Sequence, residues 1–255
     1  MVIEPVRVRG LTLGEGMPKL IVPIVSDSTE AIVRSAEVIS EIDIVDLVEW
    51  RVDFFDDCAN VYEVIETLGE MRRILGDKPI LFTFRTRNEG GAQELSLRDY
   101  VKLNLAVAES GLADLVDIEI FTADDAASLI NSVHRAGALV VASSHDFLST
   151  PSQEEIVRRL RLMQDLGGDI LKIAVMPNSV KDVLTLMLAT AEMNEKYATR
   201  PVLAISMSGK GVITRVAAEV FGSCMSFGTV GKSSAPGQIP VDQLASVLKI
   251  VNSVL

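Results

Sequence analysis

The chain is poor in several of the residues that announce common functions. It has only two cysteines, Cys58 and Cys224, in 255 residues. They lie far apart in sequence and form neither a metal-ligand pattern nor a disulfide framework. Each reads as a small buried hydrophobe. Histidine is equally scarce, with His134 and His145 alone, so any imidazole chemistry rests on one of the two. Basic residues are in deficit, 24 Lys and Arg against 35 Asp and Glu, and the net charge of −11 argues against nucleic acid or an anionic membrane as partner. No stretch approaches the roughly 18 consecutive apolar residues of a membrane span. The opening Met1-Val-Ile-Glu-Pro-Val-Arg7 lacks the basic start and apolar run of a signal peptide, which predicts a cytoplasmic location. No predicted strand runs into G-x-G-x-x-G or G-x-x-x-x-G-K-[ST], and no cofactor or metal is expected.

What is present is a regular alternation. Short β-type runs occur at 19–26, 46–53, 79–85, 115–121, 138–145, 169–175, 201–207 and 225–230. Segments with helical spacing follow them at 29–40, 61–75, 97–110, 124–135, 153–166, 180–197, 212–221 and 241–254. A strand-helix unit repeated at roughly 30 residues is the pattern of a closed (β/α)8 barrel of the TIM type, and it is preferred to a doubly wound open sheet. One catalytic domain over residues 1–255 is expected, with 48% hydrophobic residues to fill its core. The first dozen residues are spare and predict a short β-hairpin closing the barrel's N-terminal end.

Alternation within each strand assigns the polar residues to a side, because successive residues face either the helices or the barrel axis. Val48, Trp50 and Val52 suit the helices, so Leu47, Glu49 and Arg51 point inward. The same parity directs Leu81, Thr83 and Arg85 inward, then Asp117 and Glu119, then Val141, Ser143 and His145, then Ile170, Lys172 and Ala174. So much interior charge exceeds what a structural core carries, since an unpaired buried charge costs several kcal/mol. These groups must pair with one another and with a ligand, at the C-terminal ends of the strands where barrel active sites lie.

Lys172 is a lone amine in the aliphatic run Asp169-Ile-Leu-Lys-Ile-Ala-Val175. A free amine attacks a ketone to give an iminium, an electron sink that acidifies the neighbouring C–H. At an ordinary pKa of about 10.4 the amine is under about a thousandth deprotonated at neutral pH. Burial and nearby Arg51 and Arg85 would favour the neutral form, while Glu49, Asp117 and Glu119 would oppose it. His145, in Ser143-Ser-His-Asp-Phe147 at a strand end, is the candidate base; His134, within a helical segment, reads as a surface residue. Glu89, on the loop after the third run, is placed to orient the imidazole.

Together Glu49-Trp-Arg-Val-Asp53, Phe82-Thr-Phe-Arg85 with Glu89-Gly-Gly91, Ser144-His-Asp-Phe147, Lys172-Ile-Ala-Val-Met-Pro177, Ser206-Met-Ser208 and Ser233-Ser-Ala-Pro-Gly-Gln238 carry a family resemblance. The chain resembles the type I 3-dehydroquinate dehydratases over nearly its whole length. The resemblance implies a Schiff base between Lys172 and the C3 ketone of 3-dehydroquinate, removal of a C2 proton and loss of the C1 hydroxyl as water. In that scheme His145 is general acid and base, and Glu89 holds it. Glu49, Arg51 and Arg85 would grip the ring hydroxyls, Arg215, Ser234 and Gln238 the carboxylate, and Ser26 would lie near the substrate. Met207, Phe227 and Phe147 would supply pocket walls, and 231–238 a loop that closes over the ligand. The resemblance also implies a homodimer. Two other readings stand beside it: another Schiff-base barrel of the class I aldolase kind, and a non-catalytic carboxylate-binding barrel.

Overall fold

In the computed structural model, which describes residues 2–255, eight parallel strands curl around one axis. They are β3 (Lys19–Ile24), β4 (Leu47–Arg51), β5 (Ile80–Thr83), β6 (Leu115–Glu119), β7 (Leu139–Asp146), β8 (Ile170–Val175), β9 (Val202–Ser206) and β10 (Met225–Thr229). From β3 to β9 each pairs with the next in chain order, and β10 pairs with β3. Between β9 and β10 the pairing thins to a bridge of Val202 with Ser223 and one hydrogen bond from the Cys224 N–H to the Val202 carbonyl at 2.7 Å, which closes the ring. A two-residue strand, β11 (Ile239–Pro240), lies parallel to β10.

The strands are short apolar runs that present both faces to protein, as parallel strands covered by helices must. The helices are α1 (Thr29–Ser40), α2 (Val61–Leu75), α3 (Leu97–Ser110), α4 (Ala126–Arg135), α5 (Gln153–Asp165), α6 (Val180–Lys196), α7 (Ile213–Val216), α8 (Ala218–Phe221) and α9 (Val241–Asn252). Their starts are set by side-chain caps: Ser96 and Ser152 each accept an N–H three residues on, and Ser179 with Asp182 forms a capping box that begins α6. The single helix expected over 212–221 is instead two short ones. They break at Ala217, and the Arg215 carbonyl is taken by the Ser226 hydroxyl at 2.8 Å. An acceptor satisfied from outside does not need the next helical turn.

Side chains alternate between the two faces strand by strand, as their parity predicts. Val48, Trp50, Phe82, Ile118 and Ile173 pack in the layer between sheet and helices. Ile21, Leu47, Leu81, Leu115, Val141, Ile170, Leu203 and Met225 fill the lower part of the barrel interior. Beneath them lies the expected hairpin, β1 (Val6–Val8) with β2 (Leu11–Leu13), whose Val6, Val8 and Leu13 join that inner cluster. Arg9 at its tip binds Asp114 at 2.7 Å, which ties the hairpin to the start of β6. Both cysteines are unpaired and buried, and burial pushes their thiols up to about 11 for Cys58 and about 12 for Cys224, so neither is a reactive thiolate at neutral pH. No helix among the described residues is long and apolar enough to cross a membrane.

Candidate active site

Above the aliphatic floor the inward positions turn polar, and they line a cleft at the C-terminal mouth of the barrel. Its walls include Glu49, Arg51, Arg85, His145, Lys172, Arg215, Ser234 and Gln238, with Phe147, Met207 and Phe227 as apolar surfaces. Strand register explains the gathering. Ser143 lies beside Lys172 on one side and Glu119 on the other, so residues far apart in sequence share a tier.

Lys172 sits at the bottom of the cleft, 3% exposed. Its Nζ donates to Asp117 Oδ2 at 3.0 Å and to Glu49 Oε1 at 3.2 Å, and lies 5.3 Å from the centre of the Phe227 ring. Asp117 is the hub beneath it. Its other donors are Arg85 Nη2 at 2.8 Å and the Ser143 hydroxyl at 2.6 Å. Burial alone would raise the Asp117 carboxyl, but Arg85, then Lys172, and the hydrogen bonds from Ser143 and Arg85 outweigh it and bring the group down to about 2. Arg85 also donates to Glu119 Oε1 at 2.9 Å. Burial works against the Arg85 cation, yet Asp117, Glu119 and Glu89 together raise it well above its ordinary value.

His145 and Glu89 form a buried pair on the cleft wall. Glu89 Oε2 accepts the His145 backbone N–H at 3.0 Å and stands 2.9 Å from Nδ1. An oxygen already accepting an amide N–H is the accepting oxygen for Nδ1–H too, which leaves the lone pair on Nε2. Burial drives the Glu89 carboxyl up to about 8, with Glu119 and Asp117 adding to it and Arg85 and the His145 N–H opposing. The imidazole is held well below 6.5 by burial, then by Arg85, Lys172 and Arg51. At neutral pH the pair therefore presents a free-base imidazole.

Across the cleft, Arg215 is 2% exposed, and its Nε and Nη1 have no hydrogen-bond partner among the described residues. Burial lowers its guanidinium to about 10. Its Nη2 donates to the Pro236 carbonyl at 3.1 Å, on the loop that caps the cleft. Within that loop Gln238 Oε1 accepts the Ser234 N–H at 3.0 Å, and Gln238 Nε2 stands 3.1 Å from the Ser234 hydroxyl. The Arg51 Nη1 lies 3.5 Å from the Ser234 carbonyl. A buried guanidinium with two free donors, facing a cleft, is a ready site for a carboxylate.

Ser26 is not brought to this cleft. β3 ends at Ile24 and the chain turns into α1, so Ser26 pairs with the Ser35 hydroxyl at 3.2 Å and lines a separate groove with Arg34 and Lys232. His134 is half-buried rather than free on the surface, bound to Asp169 Oδ2 at 2.8 Å, and remains remote from the cleft lining. Sequence reasoning passed over Asp53, although it continues the inward parity of Leu47, Glu49 and Arg51. It is fully buried on the 3₁₀ turn Val52–Phe54 and takes Arg51 in a two-pronged ion pair at 2.7 and 2.8 Å. The Thr83 and Ser143 hydroxyls, inward by the same parity, also join the network, Thr83 donating to Glu49 at 3.0 Å.

An amine, an imidazole and unpaired guanidinium donors converging on the C-terminal mouth of a parallel barrel define the class, a (β/α)8-barrel enzyme acting on a small anionic molecule. Comparison with known proteins supplies the family. The family model described as type I 3-dehydroquinase matches residues 20–254. The 3-dehydroquinate dehydratase of Bacillus licheniformis is 48% identical over 97% of each chain, and that of Salmonella agona 49% identical over 98% of this chain and 99% of its own. Among solved structures, the type I 3-dehydroquinate dehydratase of Clostridium difficile with covalently modified comenic acid superposes with a TM-score of 0.95 at 44% identity, covering 99% of both chains. The 3-dehydroquinate dehydratase of Geobacillus kaustophilus gives 0.94 at 36% identity over 98% of this chain and 97% of its own. The chain belongs to the type I 3-dehydroquinase family. It is a carbon–oxygen hydro-lyase that converts 3-dehydroquinate to 3-dehydroshikimate and water.

Proposed function

We propose that Lys172 and His145 carry this dehydration between them, with Glu89 positioning the imidazole. The observation that carries the assignment is that the Lys172 amine and the His145 imidazole open on one cleft whose far wall offers the unpaired Nε and Nη1 of Arg215. Arg215 takes the substrate carboxylate, aided by Ser234 and Gln238, and this fixes which end of the ring meets the lysine. Arg51, Arg85 and Glu49 take the ring hydroxyls, and Met207, Phe227 and Phe147 pack against the ring.

The lysine first gives up its ammonium proton, for which Glu49 is the acceptor within reach, Asp117 being held ionised by Arg85. Nζ then adds to the C3 carbonyl carbon, and that oxygen, taking one proton from Nζ and the one held on Glu49, leaves as water to give the iminium. His145 Nε2 removes the C2 proton, and the electron pair moves into the enamine. The resulting imidazolium protonates the C1 hydroxyl as the C1–O bond breaks, and water leaves. Water returning to the C3 imine releases the product and the amine, so the net change is loss of one water.

Borohydride reduction in the presence of 3-dehydroquinate, followed by mass spectrometry, tests the assignment. The adduct is expected on Lys172. Lys172→Ala abolishes both adduct and turnover, whereas His145→Ala still forms adduct slowly but dehydrates about 10²-fold or more slowly. An unchanged rate in Lys172→Ala would sink the mechanism.

We also propose a single domain, a cytoplasmic location and a homodimer. The acidic charge and unpaired thiols support the location. Exposed Val180, Leu184 and Leu188, spaced one turn apart along α6, support a second copy as partner, which a light-scattering mass reads directly.

A further inference from the structure

We propose that Asp53 is a positioning residue that ties the grip on the ring hydroxyls to the placement of the base. Its carboxylate is 0% exposed and has no contact with the cleft, yet donors from three cleft-building segments end on it. Arg51 presents Nε to Oδ1 at 2.7 Å and Nη2 to Oδ2 at 2.8 Å. The Arg85 backbone N–H, just past the end of β5, reaches Oδ1 at 3.3 Å. The Ala92 N–H reaches Oδ2 at 2.9 Å.

The last two contacts bracket the 85–92 loop. Inside it the Thr86 carbonyl accepts the N–H groups of Glu89 and Gly91 at 3.0 and 2.8 Å, making a tight turn that aims Glu89 at His145. Asp53 thus holds both ends of the loop that carries Glu89, and with the same two oxygens fixes the guanidinium plane of Arg51. That leaves Arg51 Nη1 free toward the cleft, apart from its 3.5 Å approach to the Ser234 carbonyl. A two-pronged carboxylate sets the orientation of a guanidinium as well as its charge, and a shift of about 1 Å in a reacting group costs on the order of 10²-fold in rate. Lys172 does not touch Asp53, so amine and imidazole respond differently to its loss.

The proposal rests on the roles given above to Arg51, Glu89 and His145, and the test separates the two. Asp53→Asn keeps the shape but removes the charge that aligns Arg51 and turns one of the two accepting oxygens into a donor NH2 facing N–H groups. Expected are a KM for 3-dehydroquinate raised roughly tenfold or more, through Arg51, and a kcat lowered roughly tenfold or more, through the loop. The acid limb of the kcat profile should shift as the Glu89–His145 contact loosens, while borohydride still traps the substrate on Lys172. Asp53→Glu, which restores charge but displaces the carboxylate, should recover less than half of the activity lost. A merely structural aspartate would lower thermal stability and leave KM and the pH profile where they were, and that result overturns the proposal. So does failure of both variants to fold. Absence of a trapped adduct on the wild-type enzyme overturns instead the reading of the site on which the proposal stands.

Discussion

At neutral pH the Glu89 and His145 pair divides its protons unevenly, with burial keeping the carboxyl protonated up to about 8 while burial and Arg85 hold the imidazole well below 6.5. The sign of the pH dependence follows. The base is ready throughout the neutral range, so kcat/KM should hold a plateau down through pH 6.5 and fall only below it. Since the carboxyl is neutral near pH 7, Glu89→Gln replaces like with like: it keeps an acceptor for Nδ1–H and should retain activity within about tenfold. Above pH 8 the wild-type carboxyl ionises and the amide cannot, so the two profiles should part there. Glu89→Ala, which leaves the His145 N–H without its acceptor, should lose more than the glutamine variant at every pH. Steady-state rates from pH 5 to 9 check this; an acid limb at or above 6.5, or a loss beyond about 100-fold in Glu89→Gln at pH 7, contradicts it. Charged residues of this kind are legible in a sequence because an inward charge conflicts with a buried strand. Thr83 and Ser143 are less conspicuous because a hydroxyl is cheap to bury, and Asp53 because it lies past the strand end, on the turn Val52–Phe54.

The 231–238 loop lines the mouth of the cleft and is seated on a strained neighbour. Ser208 adopts φ 62° and ψ 176°, a conformation that side chains avoid, and in it the Ser208 N–H reaches the Pro236 carbonyl at 3.0 Å. That carbonyl also accepts Arg215 Nη2. Gly237, at φ 82°, lies so close that an added Cβ would collide with the Ser208 carbonyl oxygen. Gly237→Ala is therefore expected to keep the loop from seating, raising KM and lowering kcat together, each roughly tenfold. Stopped-flow binding with steady-state kinetics measures it, and unaltered constants would show that closure does not need this contact. The loop's Gly, Ser and Pro content announces a turn-rich segment, but its docking partner is a backbone feature that no side-chain pattern encodes. The break at Ala217 is hidden for the same reason. By contrast α1, α2 and α3 lie at their expected limits, because apolar spacing marks them in the residues themselves.

Over the whole molecule, eight apolar runs and their parity were enough to specify the barrel and its charged interior, and the spare residues ahead of them the hairpin beneath it. The interior charges also make stability depend on pH. Asp117 stands at about 2 when folded against an ordinary 3.8, so its contribution, about 2 kcal/mol, is complete above pH 4 and lost as the pH falls toward 2. His145 adds in the same direction as the pH falls below 6.5, whereas Glu89, raised when folded, contributes most in acid and loses its share as the pH climbs through 8. Thermal unfolding between pH 5 and 2 should show a steep drop in Tm below about 4, and a flat profile would contradict the Asp117 assignment. The hairpin carries a further consequence. With Val6, Val8 and Leu13 packed against the lowest tier of the barrel, the N-terminal end of the interior is stoppered and the cleft at the C-terminal mouth is its doorway. Product must leave by the route substrate came in, past the same loop, so traffic through that doorway sets an upper bound on turnover that thickening the solvent should lower.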